Sequence, residues 1–543
     1  MVVRTLGVPR PTRGDLVAGV TVALVLVPQA IAYALLAGVP PVHGLYAAAM
    51  APILAGFVGS SPYLQTGPVA LTSLLTFGAL APSIPQGTES YAAHAALLAI
   101  IVGITRALIG IVRGGFVAYL MSQPVVAAFT LSASVLIASS QIPNLLGVKG
   151  SSTNPLVAAV QALVQPGGWS SLGLAVGLAV LGITLRQAGQ PAGAGALIGS
   201  VGALLLVRLG GLDLAVVGDL PNGIPLPSLD LPWSATPSLL LSGIVIALVG
   251  FAEPASISRQ YASADRTHWD PDKEFIGQGL ANLGSGIFGG YPVGGSFSRS
   301  ALNRLSGART RWSGVITGLA VLATLPVVSV LSDMPKAALA GLIIAAVVPL
   351  LNPDPMWRTR MFSKPQFAIG LTTFVVSLAA APGAVGVVAG VAMALGIHLW
   401  RELRLDMEVW VTGDELHVRP QGVLYFGSAP NLETRILGEL ADQPSLGRVR
   451  LHLQRLGRVD LTGALVLRAI TRDLARADVP VAIQGVQPQC QRLIEAVFSR
   501  DQVGYTRHAA TVHATDVAPD AVPAAQVPPK DAAHDSPPRP ADA

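Results

Sequence analysis

The sequence predicts a polytopic α-helical membrane protein with a small α/β domain appended after its last apolar segment, and three observations carry that expectation. Apolar residues make up 51% of the chain and charged ones 12%, whereas a soluble domain carries charge on about a quarter of its residues. The charges are unevenly placed: residues 1–404 hold 21 basic and 13 acidic side chains, and the much shorter remainder holds 14 and 17. In the first part, apolar runs of about 20 residues, the length a helix needs to cross a bilayer, recur between Gly, Pro and charged breaks.

These runs centre near Leu24, Pro52, Leu75, Ile101, Ala127, Val160, Leu178, Leu204, Ile246, Gly284, Leu302, Val321 and Ile344. A last stretch past Pro365 reaches Trp400 and has room for two helices, giving about fourteen segments. Two segments are too short and too interrupted for a full span: the one after Gly67-Pro68, and the polar one from Ser296 to Leu305. Interrupted segments in membrane proteins line binding sites. Each is expected third in its half when the chain is divided into two sets of seven, the order of an inverted repeat with paired broken helices.

Orientation follows from the excess of Lys and Arg in cytoplasmic loops. Arg4, Arg10, Arg13, Arg106, Arg113, Arg186, the stretches 259–273, 304–311 and 358–364, and Arg401 with Arg404 are assigned to one side, the cytoplasm. Lys149 and Lys336 are the exceptions opposite, with Arg208 near a helix end. The N-terminus and everything past Leu405 are therefore expected in the cytoplasm of an inner-membrane protein. No cleavage site follows the first apolar run, which reads as a retained helix.

From Leu405 the pattern alternates strand-like and helix-like stretches: LHVRPQGVLYFGS, NLETRILGELADQ, RVRLHLQRL, LTGALVLRAITRDLARA, VPVAIQGV and PQCQRLIEAVF. That is a small α/β domain over 405–508. Residues 509–543, rich in Ala, Pro and Asp, read as a disordered tail. The single cysteine, Cys490, excludes an internal disulfide and a cysteine-rich metal site. No basic cluster with interleaved aromatics points to nucleic acid. No HExxH, Walker loop, Ser-His-Asp order or paired catalytic carboxylates points to an enzyme, and no cofactor or metal is expected.

Ionisable residues inside a span are costly and mark function, and Glu253 and Arg299 stand out away from segment ends. Arg299 lies in GGSFSRSALNR, where Ser296, Ser298 and Ser300 add hydroxyls beside a short helix's free N-terminal amides, an anion-binding composition. A structural reading stands beside it: Arg299 satisfies backbone carbonyls while the serines cap the helix. In QTGPVALTSLLT, Pro68 is expected to open a second short helix, so that two positive helix ends face one anion. Gln29 and Tyr33, four residues apart after Pro28, share a helical face and offer an amide donor and an aromatic wall. Glu253 has three readings: it carries a coupling proton, ligates sodium, or pairs with backbone amides near Pro254.

The stretches GDLVAGVTVALVLVPQAIAYALLAGVPPVHGLYAA, GSSPYLQTGPVALTSLL and EFIGQGLANLGSGIFGGYPVGGSFSRSALN, with GART nearby, resemble the SulP (sulfate permease) family of anion transporters, and the region past Leu405 resembles its STAS domain. The resemblance implies fourteen segments in two inverted seven-segment repeats, arranged as core and gate domains in a homodimer. It places an anion site between the two short helices, with Pro68, Val69 and Ala70 on one side, Ser296, Phe297, Ser298 and Arg299 on the other, and Gln29 and Tyr33 lining it. Glu253 stands where some relatives use a carboxylate to couple sodium, but Ile257, one turn later, replaces a hydroxyl. In RLGRVDLTGA, Thr462 occupies the position that soluble STAS relatives phosphorylate; its other reading is a helix-start hydroxyl.

The function expected from this is secondary transport of a small anion such as sulfate, bicarbonate or a dicarboxylate, coupled to protons or sodium, in contact with membrane lipid. A nucleobase carrier or a regulatory membrane protein acting through STAS are the rivals. Arg299→Ala is expected to weaken transport far more than folding.

Overall fold

The computed structural model describes residues 10–116, 123–148, 152, 154–165, 170–186, 194–380 and 385–498. Arg4, Lys149 and the expected tail lie outside the described residues. The chain divides into two compact units at Gly396/Ile397.

The first unit opens with α1 (Arg13–Ala37), α2 (Pro41–Val58), the two-residue strand β1 (Thr66–Gly67), α3 (Ala70–Leu80), α4 (Glu89–Ile111), α5 (Gln123–Leu146), α6 (Pro155–Val164), α7 (Ser171–Arg186) and α8 (Ala194–Gly210). It continues with α9 (Thr236–Val249), α10 (Ala252–Ala264), α11 (Pro271–Ile287), β2 (Gly294–Gly295), α12 (Phe297–Leu305), α13 (Trp312–Thr324), α14 (Lys336–Val347), α15 (Asp354–Phe362), α16 (Lys364–Ala379) and α17 (Val385–Glu402). Among the described residues, eight helical stretches of 18 residues or more are apolar enough to cross a membrane. Leu24, Leu108 and Leu241 are exposed on them, as lipid contact requires and water would penalise.

Two details correct the segment count. The segment near Val160 is the ten-residue α6, about 15 Å long and too short to span. The last stretch is two helices, α16 and α17. With α6 removed and α9–α10 and α14–α15 each taken as one broken span, seven segments run from α1 to α8 and seven from α9 to α17, and α3 and α12 are each third. As first counted, with α6 as a span, α12 would have fallen fourth.

β1 and β2 are antiparallel, with Thr66 opposite Gly295 and Gly67 opposite Gly294, so α3 and α12 leave a shared crossing in opposed directions. Gly295 is required there: a Cβ would stand 2.7 Å from the Leu64 side chain and 3.2 Å from Pro254 Cα. The crossing hangs on one polar stripe of α11, spaced by four residues. Glu274 accepts from the Ser60 and Ser61 amides, Gln278 donates to the Thr66 hydroxyl at 2.7 Å, and Asn282 exchanges hydrogen bonds with the Val293 backbone. Across the other face of α11, α4 packs at backbone contact. The N-terminus of α1 is fixed by buried Asp15, whose carboxylate accepts from Arg309 N, Thr310 N and the Thr310 hydroxyl, each at 2.8 Å. That is the physical use of the GART stretch.

In the second unit, strands β3 (Asp406–Thr412), β4 (Glu415–Leu424), β5 (Arg448–His452), β6 (Leu456–Val459) and β7 (Val481–Gln484) alternate with α18 (Ala429–Asp442), α19 (Leu461–Arg476) and α20 (Pro488–Phe498). The order is β3-β4-β5-β7, with β6 beside β4; β3 and β4 form an antiparallel hairpin and the other pairs are parallel. β3 was not anticipated, and RVRLHLQRL is two strands separated by a turn. Leu416 and Val418 point into a core with Leu432, Ile436, Leu467 and Ile494. On the opposite sheet face Trp410 stacks on His417 and His452, whose facing ring nitrogens are 3.0 Å apart.

Candidate functional site

The crossing strands deliver two helix N-termini to one place. Val69 is the N-cap of α3 and provides no side-chain cap, so first-turn amides there are left for a ligand. Pro68 is not the opening helical residue that the sequence suggested; it stands one position before the N-cap, and its role is its carbonyl. Ser296 caps α12, its hydroxyl accepting from Arg299 N at 3.4 Å and lying 3.3 Å from the Ser298 hydroxyl.

A cavity of about 370 Å³ opens at this point. Tyr33, Val69, Ala70, Glu253, Ser296, Phe297 and Ser298 all line it, so seven of the ten residues assigned to substrate and coupling from the sequence meet there. The other three form a hydrogen-bonded layer beside it. Arg299, 1% exposed, donates from Nη1 to Gln29 Oε1 at 3.1 Å and from Nη2 to the Pro68 carbonyl at 2.8 Å, while its buried Nε has no partner. Gln29 thus accepts from Arg299 through Oε1, while its Nε2 amide keeps the donor capacity that its position suggested. Arg299 takes the structural reading and keeps its charge next to the cavity: the guanidinium ties α12 to α1 and to the entry of α3 and adds a positive field between two positive helix ends.

Glu253 lies in the first turn of α10, after the chain breaks from α9 around Gly250. Ile257, one turn on, is buried and apolar, so no hydroxyl completes an oxygen cage at that position. The break itself is held by a residue that the loop-charge argument misplaced. Arg106 is not in a cytoplasmic loop: it is fully buried and donates to the carbonyls of Ala247 and Val293 at 3.0 Å and of Ile246 at 3.3 Å. A Cβ at Gly250 would stand 2.7 Å from its Nη2. A cation closes the C-terminus of α9 and a carboxylate sits at the N-terminus of α10, the pairing that helix dipoles favour.

A second cavity, of about 510 Å³, lies one helical turn further along three of the same helices. Tyr33 lines the first and Leu36 the second on α1, Leu71 and Leu74 on α3, Ile137 and then Ser140 with Gln141 on α5. The partition is about one turn, roughly 5 Å, thick.

In the second unit Thr462 is exposed at the second position of α19. Asp460, not Thr462, caps that helix, accepting from Gly463 N at 2.6 Å.

A multi-pass membrane transporter with two half-helices meeting at a buried crossing, followed by an α/β domain, is the class these features define. Residues 12–373 match the sulfate permease family and residues 406–512 the STAS domain. The chain belongs to the sulfate permease family. It is 32% identical to the probable sulfate transporter 4.2 of Arabidopsis thaliana over 359 residues, 63% of this chain and 53% of that relative's length. It is 29% identical over 526 residues to a probable sulfate transporter of Mycobacterium tuberculosis, covering 91% of this chain and 92% of that one. The fold is similar to that of the murine solute carrier 26 family member A9 anion transporter in its inward-facing state, with a TM-score of 0.81 at 19% identity over 91% of this chain and 90% of that one.

Proposed function

We propose that the protein is a secondary transporter of a small oxyanion, sulfate first, which binds in the 370 Å³ cavity between the N-termini of α3 and α12. The carrying observation is the meeting of two helix N-termini, one uncapped, with the Arg299 charge held behind them and serine hydroxyls in front. Such a site favours negative charge with hydrogen-bond acceptors on every side. A nucleobase would ask for acidic and amide groups at its edge, and the only carboxylate lining this cavity among the described residues is Glu253.

Glu253 and an anion in one cavity repel unless the carboxylate is protonated, so the geometry supports proton coupling over sodium, with Ile257 offering no further ligand. The partition of one turn supports alternating access: a small displacement of α5 and α14 against α1 and α3 would open one cavity as it closes the other. The distribution of Arg and Lys supports an inner-membrane location, with the N-terminus and a regulatory STAS domain over 405–508 in the cytoplasm, and supports a cytoplasmic opening for the 370 Å³ cavity. Assembly as a homodimer and regulation through Thr462 belong to the same proposal.

The test is uptake of labelled sulfate, bicarbonate and fumarate into proteoliposomes under an imposed proton or sodium gradient. Sulfate uptake driven by protons, and made insensitive to the proton gradient by Glu253→Gln, is the expected result. No uptake of any of the three above empty liposomes would overturn it.

A further inference from the structure

The 510 Å³ cavity contains no part of the site described above, and its chemistry is distinct. Among the described residues, one ionisable side chain lines it, Lys336, and no carboxylate does. The remaining polar lining is neutral, with Gln86, Ser140, Gln141, Asn144 and Ser152. Asn144 Nδ2 donates toward Gln141 Oε1 at 3.5 Å, Gln141 Nε2 to the Ser140 hydroxyl at 2.8 Å, and that hydroxyl to the Ile137 carbonyl at 2.6 Å. This chain of bonds runs from one cavity to the residue lining the other and leaves the cavity without a counter-charge for the lysine.

Lys336 also stands where folding alone would not put it. It is the first residue of α14, and a cation there opposes the positive end of the helix dipole. Its backbone amide donates to the Ala215 carbonyl at 2.8 Å. The nearby Asp333 is already held by Arg208 at 2.8 Å, and among the described residues no carboxylate lies within ion-pair distance of the Lys336 ammonium. An unneutralised charge in a polar cavity facing solvent concentrates ions of opposite sign.

We infer that this cavity is a second anion subsite, in which Lys336 gathers a small inorganic oxyanion from the side opposite the 370 Å³ cavity before it crosses the one-turn partition. The inference rests on the transport reading for its direction, but the presence of the subsite is testable without transport. Gln86→Cys, placed in a Cys490→Ser background, puts a lone thiol at an exposed point of the lining, and Asn144→Cys gives a second reporter deeper in. The rate of modification by a negatively charged thiosulfonate is divided by the rate for a neutral one of similar size. Lys336→Gln is expected to lower that ratio about five-fold, the effect of removing one charge a few ångströms away; Lys336→Arg restores it, and sulfate protects the thiol only while a cation stands at position 336. A ratio unmoved by Lys336→Gln at both reporters, or sulfate protection that survives it, overturns the inference. In proteoliposomes, Lys336→Gln is expected to raise KM for sulfate entering from this side with kcat in that direction unchanged. A parent protein that moves no sulfate would sink the transport reading and leave the thiol measurement standing.

Discussion

Arg299 shows how far one side chain's role depends on its partners. Its two acceptors, Gln29 Oε1 and the Pro68 carbonyl, lie on different elements, and a planar fork can reach both where an ammonium cannot. Arg299→Lys keeps the charge and loses one charged hydrogen bond, about 1.5–3 kcal/mol, so sulfate uptake should fall roughly ten- to hundred-fold with the protein still folded. Arg299→Ala strands both acceptors in the interior and, contrary to the first expectation from sequence, should lower thermal stability in detergent as well as transport. In the STAS domain, His452 is held below the ordinary histidine pKa, first by burial and then by the positive charges of His417, Arg419 and Arg450, with Glu415 opposing them. The unfolded chain therefore binds the proton more readily, and stability is lost as the pH falls through the ordinary histidine value of about 6.5 toward the lower folded one. Protection factors for hydrogen exchange in residues 406–498 of the intact protein, which remove the intrinsic pH dependence of exchange, should fall between pH 7.5 and 5.5, and His452→Gln should flatten that response. Neither set of partners is visible in the sequence, because a guanidinium's acceptors and a histidine's neighbours are brought together from distant positions.

Elements differ in how openly the sequence declares them. The two half-helices were legible because Gly-Pro and Gly-Gly-Ser interrupt apolar runs, and a break in a span needs a reason. α6 was misread as a span because its ten residues, apolar but for Gln161 and flanked by loops, carry the same hydropathy as a longer run. β3 was overlooked because DMEVWVT mixes acidic and aromatic residues on the solvent-facing side of an edge hairpin. Arg106 was taken for a loop anchor because it lies five residues from the end of α4; only the break of α9 opposite it explains its burial. The close pairing of α4 with α11 was not read from the sequence. A Cβ on Gly279 would stand 2.7 Å from Ala107 N and 2.9 Å from the Gly103 carbonyl, backbone contacts that cannot yield without parting the helices. Gly279→Ala is expected to cost about 1–3 kcal/mol, as overpacking does, read as a lower unfolding temperature in detergent, and Gly279→Leu should abolish recovery of folded protein.

At the scale of the whole molecule, composition and charge placement were enough to separate the membrane unit from the α/β unit, because lipid and water select opposite surfaces. The position of the cavities was not, since it depends on which faces of α1, α3, α5 and α14 meet. The partition between those cavities has an electrical consequence. Under the proposed alternating access, water on either side carries ions and so would hold each cavity close to the potential of its own compartment, and the membrane voltage would then fall almost entirely across one helical turn. An unbalanced charge stepping over Leu71, Leu74 and Ile137 would gain or lose about 2.3 kcal/mol per 100 mV within roughly 5 Å. The field there is several times steeper than in an unbroken bilayer, and the same few side chains that block leakage are the ones through which a cell's resting potential would set the direction of flow.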